Sequence, residues 1–175
     1  MSTDWAAVYQ TTFADLVRFL YRKVWDADRA ADLAQETFVR ALDADAARGR
    51  EPESPRAWLF AIAANLARDE ARSGMRRRHH LTLLRSEVED CPAAPDDPAA
   101  ELETRERLDA VHRALDALSE RDREALLLWD AGLDYHEIAR QTGLSLTSVG
   151  TTLARARRRL VEAHAALEAR HAARG

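Results

Sequence analysis

Apolar residues recur along this chain at helical spacing. Val8, Tyr9, Phe13, Leu16, Val17, Leu20 and Val24 form one stripe and predict a helix from about Asp4 to Trp25. A second helix is expected from about Asp28 to Arg48, with Leu33, Thr37, Phe38, Ala41 and Leu42 on its inward side. Gly49, Pro52 and Pro55 then mark a loop. Ser54 followed by Pro55 is a start signal, because proline is pre-organised for the first helical position. The third helix carries Leu59, Ile62, Ala63, Leu66 and Ala67 inward and continues to about Arg78, with a bend placed near Gly74. Trp58 on this helix is assigned to packing rather than to base stacking.

The pattern breaks between Ser86 and Ala100, where SEVEDCPAAPDDPAA holds prolines and acids but no apolar stripe. That stretch reads as a linker, dividing the chain into units 1–85 and 101–175. In the second unit Leu108, Val111, Leu115 and Leu118 give one helix. Ser119 caps the next, which carries Ala125, Leu126, Leu128 and Trp129 and stops at Gly132. Asp134 and Glu137 form a capping box for a short helix with Ile138 and Ala139 on its buried side. Gly143 suits the left-handed position that ends it, and Ser145 caps a second helix. There Val149, Leu153, Ala156 and Leu160 share one inward stripe. The region around His164 and His171 is expected to be a fraying helical tail.

Two capped helices around a glycine turn, with a scaffold helix before them, are a helix-turn-helix. Thr147, Thr151, Arg155 and Arg158 fall opposite the inward stripe. Polar residues near the start of such a helix reach base edges in the major groove, and arginines further along hold phosphates. The glycine turn alone would be weak support, since plain helical domains also contain it. The inward stripe, the paired caps and the run Arg155, Arg157, Arg158, Arg159 together favour DNA binding over a solvated basic helix.

Composition agrees with an all-α protein. The chain has 175 residues, 46% of them hydrophobic and 32% charged, with 6 glycines and 5 prolines. Its formal charge is −4, so a nucleic-acid binder must segregate its cations. Basic blocks do stand apart, at 72–85 and 155–159, from acid near Glu87 to Glu103. The one cysteine, Cys91, rules out an internal disulfide and fits a reducing cytosol. No signal peptide is expected, and no apolar run approaches the ~20 residues of a membrane span. There is no glycine-rich phosphate loop and no nucleophile motif with a base, so an enzyme is not expected. His79, His80 and Cys91 supply too few ligands for zinc, and neither a metal nor a cofactor is anticipated.

Two helical units, an acidic linker and a terminal helix-turn-helix resemble a bacterial RNA polymerase sigma factor, most closely the extracytoplasmic-function (group 4) type. Three ordered stretches carry the likeness. DLAQETFVRAL, from Asp32 to Leu42, is similar to the helix that docks on the clamp of the largest polymerase subunit. SPRAWLFAIAANLARDEARSGMRRR, from Ser54 to Arg78, resembles the segment that melts and reads the minus-ten element. LDYHEIARQTGLSLTSVGTTLARARRRL, from Leu133 to Leu160, resembles the reader of the minus-thirty-five element.

The resemblance implies a cytoplasmic factor that binds core RNA polymerase and directs promoter recognition, melting and initiation. An anti-sigma factor is a candidate further partner, and no direct membrane insertion is implied. Asp32, Gln35, Glu36 and Arg40 would contact polymerase. Asn65, Arg68, Arg72, Arg76, Arg77 and Arg78 would hold the promoter strands near minus ten. Thr147, Ser148, Thr151, Arg155 and Arg158 would bind the upstream element, with Thr151 and Arg155 as principal base readers and Arg158 on the backbone. The loop from about Asp43 to Pro55 would hold an extruded base, although its sequence does not single out the residue that touches it.

The chain departs from the family at Gly150 and Thr152, where members commonly carry basic residues. Losing those cations would weaken phosphate contacts or alter sequence preference. Gly150 also costs about 1 kcal/mol of helix propensity relative to alanine. Two other readings compete with the sigma factor. One is a helix-turn-helix regulator that works without core polymerase. The other is a polymerase-binding interaction protein that does not initiate, which the altered recognition helix favours slightly.

Overall fold

The computed structural model describes residues 3–48, 52–81 and 98–172. Seven helices account for nearly all of them, and no strand occurs among the described residues. The first unit comprises α1 (Trp5–Val24), α2 (Ala27–Arg48) and α3 (Pro55–Leu81). The second comprises α4 (Pro98–Asp116), α5 (Glu120–Asp130), α6 (Tyr135–Thr142) and α7 (Leu146–Ala172).

Local chemistry sets most of the helix ends. The Asp4 side chain accepts from the backbone N–H groups of Ala6 and Ala7, at 3.1 Å each. Ser54 accepts from the Ala57 N–H at 3.2 Å, and Ser119 from the Asp122 N–H at 3.2 Å. Both halves of the expected capping box form: Asp134 accepts from the Glu137 N–H at 2.8 Å, and Glu137 from the Asp134 N–H at 2.9 Å. Gly143 adopts φ +70°, the left-handed cap that closes α6.

Two expectations about the elements change. The second helix ends at Arg48, as expected, so the first part of the stretch from Asp43 named as a base-holding loop is helix. The fourth helix begins at Pro98, inside the proline-rich stretch read as linker, because proline is tolerated in a first turn. The tail around His164 and His171 is helical, as expected, and continuous with the recognition helix as far as Ala172. The α3 helix also runs on through Gly74 to Leu81.

Leu16, Leu20, Leu33, Leu59 and Phe60 are fully or almost fully withdrawn from water and centre the first unit. Phe19 meets Phe60 edge-to-face at 5.2 Å, and the Trp5 indole donates to Asp45 at 2.9 Å, tying α1 to α2. Trp58 is half-buried against this core, as assigned. The same apolar cluster continues into the second unit through Leu127, Leu128, Leu133, Ile138, Val149 and Leu153. A smaller cluster of Leu115, Leu118, Leu126 and Ala156 receives Trp25 from the end of α1. Trp25 sits at φ +56° and stacks on His112 of α4 at 4.1 Å.

Some apolar positions did not go inside. Leu42, expected in the core, is 45% exposed. Leu108, Val111 and Trp129 are also partly exposed, at 43%, 37% and 41%, because their helices pack on fewer sides than the apolar pattern suggests. Arg157 lies over the Trp129 ring at 3.8 Å, so that indole serves as a cation platform.

Polar contacts bind the two units face to face. Glu124 of α5 is 5% exposed, with Arg68 of α3 at 2.9 Å and Lys23 of α1 at 3.4 Å. Arg22 pairs with Asp130, and Arg56 reaches the Ala131 carbonyl. Ser54 donates to Glu137 at 2.7 Å, and the Gln141 amide donates to the Ala57 carbonyl at 2.8 Å.

The Arg56 guanidinium holds the Asp15 carboxyl below its ordinary value, and Arg155 does the same for Asp122. A carboxylate with a depressed folded pKa stabilises the fold above its unfolded value, and that stability is lost as pH falls through the folded value. Thermal stability is therefore expected to hold above pH ~5 and to fall as pH drops below ~4. A melting temperature that stays level from pH 5 to pH 2 would contradict this account.

Candidate polymerase and promoter interfaces

The α2 helix presents a polar stripe outward while Leu33, Ala34, Thr37, Phe38 and Ala41 are buried. Asp32, Gln35 and Arg40 are exposed and Glu36 is half-exposed, at the spacing of one helix side. Arg40 pairs with Glu36 at 2.6 Å, so the two approach a partner as a unit. The structure adds two residues to this surface. Val39, 56% exposed, is on the Gln35 side of Glu36, and Leu42, 45% exposed, flanks it. The sequence signal was available: position 39 is one turn beyond Gln35 and Glu36.

Asn65 and Arg68 of α3 line a cavity of about 730 Å³ together with Trp58, and α6 closes the other side through Glu137, Arg140 and Gln141. Arg68 is committed on two sides, to Asn65 at 3.0 Å and to Glu124 at 2.9 Å. Arg72 is exposed and lies 3.7 Å from Asp69. Arg76, Arg77 and Arg78 continue α3, but their side chains fall outside the described residues. The same holds for His79 and His80, and Cys91 lies wholly outside them. Residues 49–51 of the loop expected to hold a base also lie outside.

In the helix-turn-helix the inward stripe forms as expected. Val149, Leu153 and Ala156 are buried and Leu160 is half-buried. Thr147 and Thr151 are exposed and Ser148 is half-exposed, so the hydroxyl-bearing start of α7 faces solvent. The arginines that follow do not form one basic face. At about 100° per residue, consecutive side chains splay around the helix. Arg155 holds Asp122 through Nε at 3.2 Å and Nη2 at 2.6 Å, and Arg159 reaches the same carboxylate at 3.3 Å. Arg157 covers Trp129. Arg158 points outward, 3.8 Å from Glu162.

The two departures from the family pattern separate physically. Thr152 is 4% exposed, so it belongs to helix packing, and a lysine there could not reach a phosphate without repacking. Gly150 lies on ordinary helical backbone beside Tyr135. A Cβ at this position would lie 3.6 Å from the nearest ring carbon, an ordinary contact distance. Neither backbone conformation nor crowding requires glycine.

Comparison with known proteins agrees with this layout. Residues 8–77 match the Sigma-70 region 2 family and residues 108–160 the Sigma-70, region 4 family. The chain is 33% identical over 156 residues to the ferric citrate uptake sigma factor FecI of Escherichia coli (strain K12), covering 89% of this chain and 87% of that protein. It is 36% identical to the ECF RNA polymerase sigma factor EcfG of Rhodopseudomonas palustris (strain TIE-1), covering 77% of this chain and 71% of that one. Among solved structures, the sigma factor RpoE in complex with the anti-sigma factor NepR from Bartonella quintana is similar, with a TM-score of 0.67 and 25% identity, covering 91% of this chain and 96% of that one. So is CnrH in complex with the cytosolic domain of CnrY, with a TM-score of 0.63 and 28% identity, covering 94% and 88%.

The chain therefore belongs to the extracytoplasmic-function sigma factors of RNA polymerase. It binds core RNA polymerase and directs promoter recognition, as an initiation factor and not an enzyme. The stand-alone regulator and the non-initiating binder are left without support. No helix among the described residues is long and apolar enough to cross a membrane.

Because Gly150 is not sterically required, Gly150→Ala is expected to raise stability by up to about 1 kcal/mol. Urea unfolding would show it as a higher midpoint at unchanged slope. A lower midpoint would mean that the space beside Tyr135 is needed by the fold.

Proposed function

We propose that the chain works in the cytoplasm as two units, 1–85 and 101–175, joined by the linker 86–100, each unit carrying one part of the initiation task. Asp32, Gln35, Glu36 and Arg40 dock on polymerase, with Val39 and Leu42 supplying the apolar area such contacts need at their centre. Asn65, Arg68, Arg72, Arg76, Arg77 and Arg78 hold the minus-ten strands. Thr147, Ser148, Thr151, Arg155 and Arg158 take the upstream element. The observation that carries the reading is the outward stripe of α2, exposed on a helix whose opposite side is fully core.

The described arrangement is the closed form of this machine. Centres of the two promoter elements stand about 25 base pairs apart, roughly 85 Å along B-DNA. A compact chain of this length has a radius of gyration of about 16 Å. Units packed against each other cannot touch both elements, and Arg68 is occupied by Glu124. Polymerase and promoter binding thus exchange the contacts between units for contacts with core enzyme and DNA. The closed form also suits an anti-sigma partner, since the similar RpoE structure holds that sigma factor in complex with the anti-sigma factor NepR, and such a partner would act by preserving it.

The direct test is run-off transcription by core polymerase plus this protein on a promoter library, with the products sequenced. Enrichment of two spaced elements is the expected result, and the absence of specific starts would overturn the proposal. Replacing Asp32, Gln35 and Glu36 together by alanine should weaken core binding at least tenfold, about 1.4 kcal/mol, with helicity unchanged by circular dichroism. Equal affinity would remove α2 from the docking surface. Glu124→Lys reverses the charge that faces Arg68 and Lys23, and should enlarge the radius of gyration in X-ray scattering. A variant as compact as the parent would show that these pairs do not hold the units together.

A further inference from the structure

Asp122 lies in the first turn of α5, with 2% of its surface exposed, and its backbone N–H donates to Ser119. Its carboxylate faces α7, where it accepts from Nε and Nη2 of Arg155 at 3.2 and 2.6 Å. Arg159, one turn on, reaches the same group at 3.3 Å from a side chain 50% exposed.

A carboxylate held by Nε and Nη2 together fixes the plane of the guanidinium as well as its position. It occupies the lateral edge of the fork and leaves the end-on edge, Nη1 with the second hydrogen of Nη2. The Arg155 side chain is 41% exposed, and its contacts with Asp122 use Nε and Nη2. A guanine in the major groove is read by two parallel N–H groups on O6 and N7. Arg155 lies one turn beyond Thr151 and two beyond Thr147 on the outward side of α7.

We propose that Asp122, which is itself buried, is a positioning residue for promoter selection: it holds the Arg155 guanidinium in the plane needed to read one base of the upstream element. The inference rests on the reading of Arg155 as a base contact. It reconciles that role with the ion pair, because an arginine can serve a buried carboxylate on one edge and a base on another. An unbraced arginine has many rotamers, and fixing it in advance removes an ordering cost that would otherwise fall on DNA binding. Arg159 has no such plane-fixing contact and supplies only charge to the same carboxylate.

The experiment uses core polymerase reconstituted with each variant and a promoter library randomised across the upstream element, read by transcript sequencing. Arg155→Ala should flatten preference at one position, by roughly fivefold or more given the usual value of a bidentate base contact. Asp122→Asn should flatten the same position and leave the rest of the sequence logo in place. Should Asp122→Asn fail to fold, Asp122→Glu keeps the charge but moves it by one methylene, and should change the same position. Arg159→Ala should leave the logo unaltered. A flattened position in Arg155→Ala with a parental logo in the Asp122 variants would overturn the proposal while keeping Arg155 as a reader. Uniform weakening across all positions in the Asp122 variants would also overturn it, since that is the mark of a purely structural brace. An unchanged logo in Arg155→Ala would remove the base-reading role and the inference with it.

Discussion

Two carboxylates on α5 have been taken almost wholly out of water, and the arrangement of the molecule follows from how each is neutralised. Asp122 and Glu124 are 2% and 5% exposed. A buried charge without a partner is strongly destabilising. Residues two apart on a helix point to nearly opposite sides. Asp122 therefore gathers Arg155 and Arg159 from α7, while Glu124 gathers Lys23 and Arg68 from the first unit. One short helix thus anchors the recognition helix on one side and the other half of the protein on the other.

The two anchors differ in permanence. On the α5–α7 side Leu126, Val149, Leu153 and Ala156 are all buried, beside the paired Asp122. The side facing the first unit combines apolar contact with pairs such as Arg22–Asp130 and Arg140–Glu53, whose side chains are largely exposed. Exposed pairs contribute little individually and are screened by salt. A junction of that kind can be exchanged for another surface, while the recognition helix stays fixed on its scaffold. The proposed function calls on both properties, since the units would spread along a promoter while the reading head keeps its shape.

The arginine cluster on α7 shows how little composition says about role. Arg155, Arg157, Arg158 and Arg159 read as one basic patch in the sequence, yet they serve a buried carboxylate, an indole face and a surface glutamate. The partners come from α5 and from α7 itself, and the α5 groups lie some thirty residues away in sequence. The same applies to Arg68, whose commitment to Glu124 joins residues fifty-six apart.

Sequence alone determined the helical class, most helix ends and the helix-turn-helix. These depend on nearest neighbours: a capping oxygen, a glycine that tolerates positive φ, an apolar stripe with helical period. Asp134 with Glu137, Gly143, Ser54 and Ser119 all formed the caps that their spacing indicates. The ordered motifs were legible for the same reason, since each is a contiguous run. Tertiary structure decided which apolar residues stay outside, such as Leu42, Val39 and Trp129, because that depends on how many neighbours a helix meets. It also decided that Thr152 is interior and that the two units close on each other. Those outcomes turn on where distant groups meet, and a buried charge selects its partner by proximity in space, which the order of residues along a chain does not encode locally.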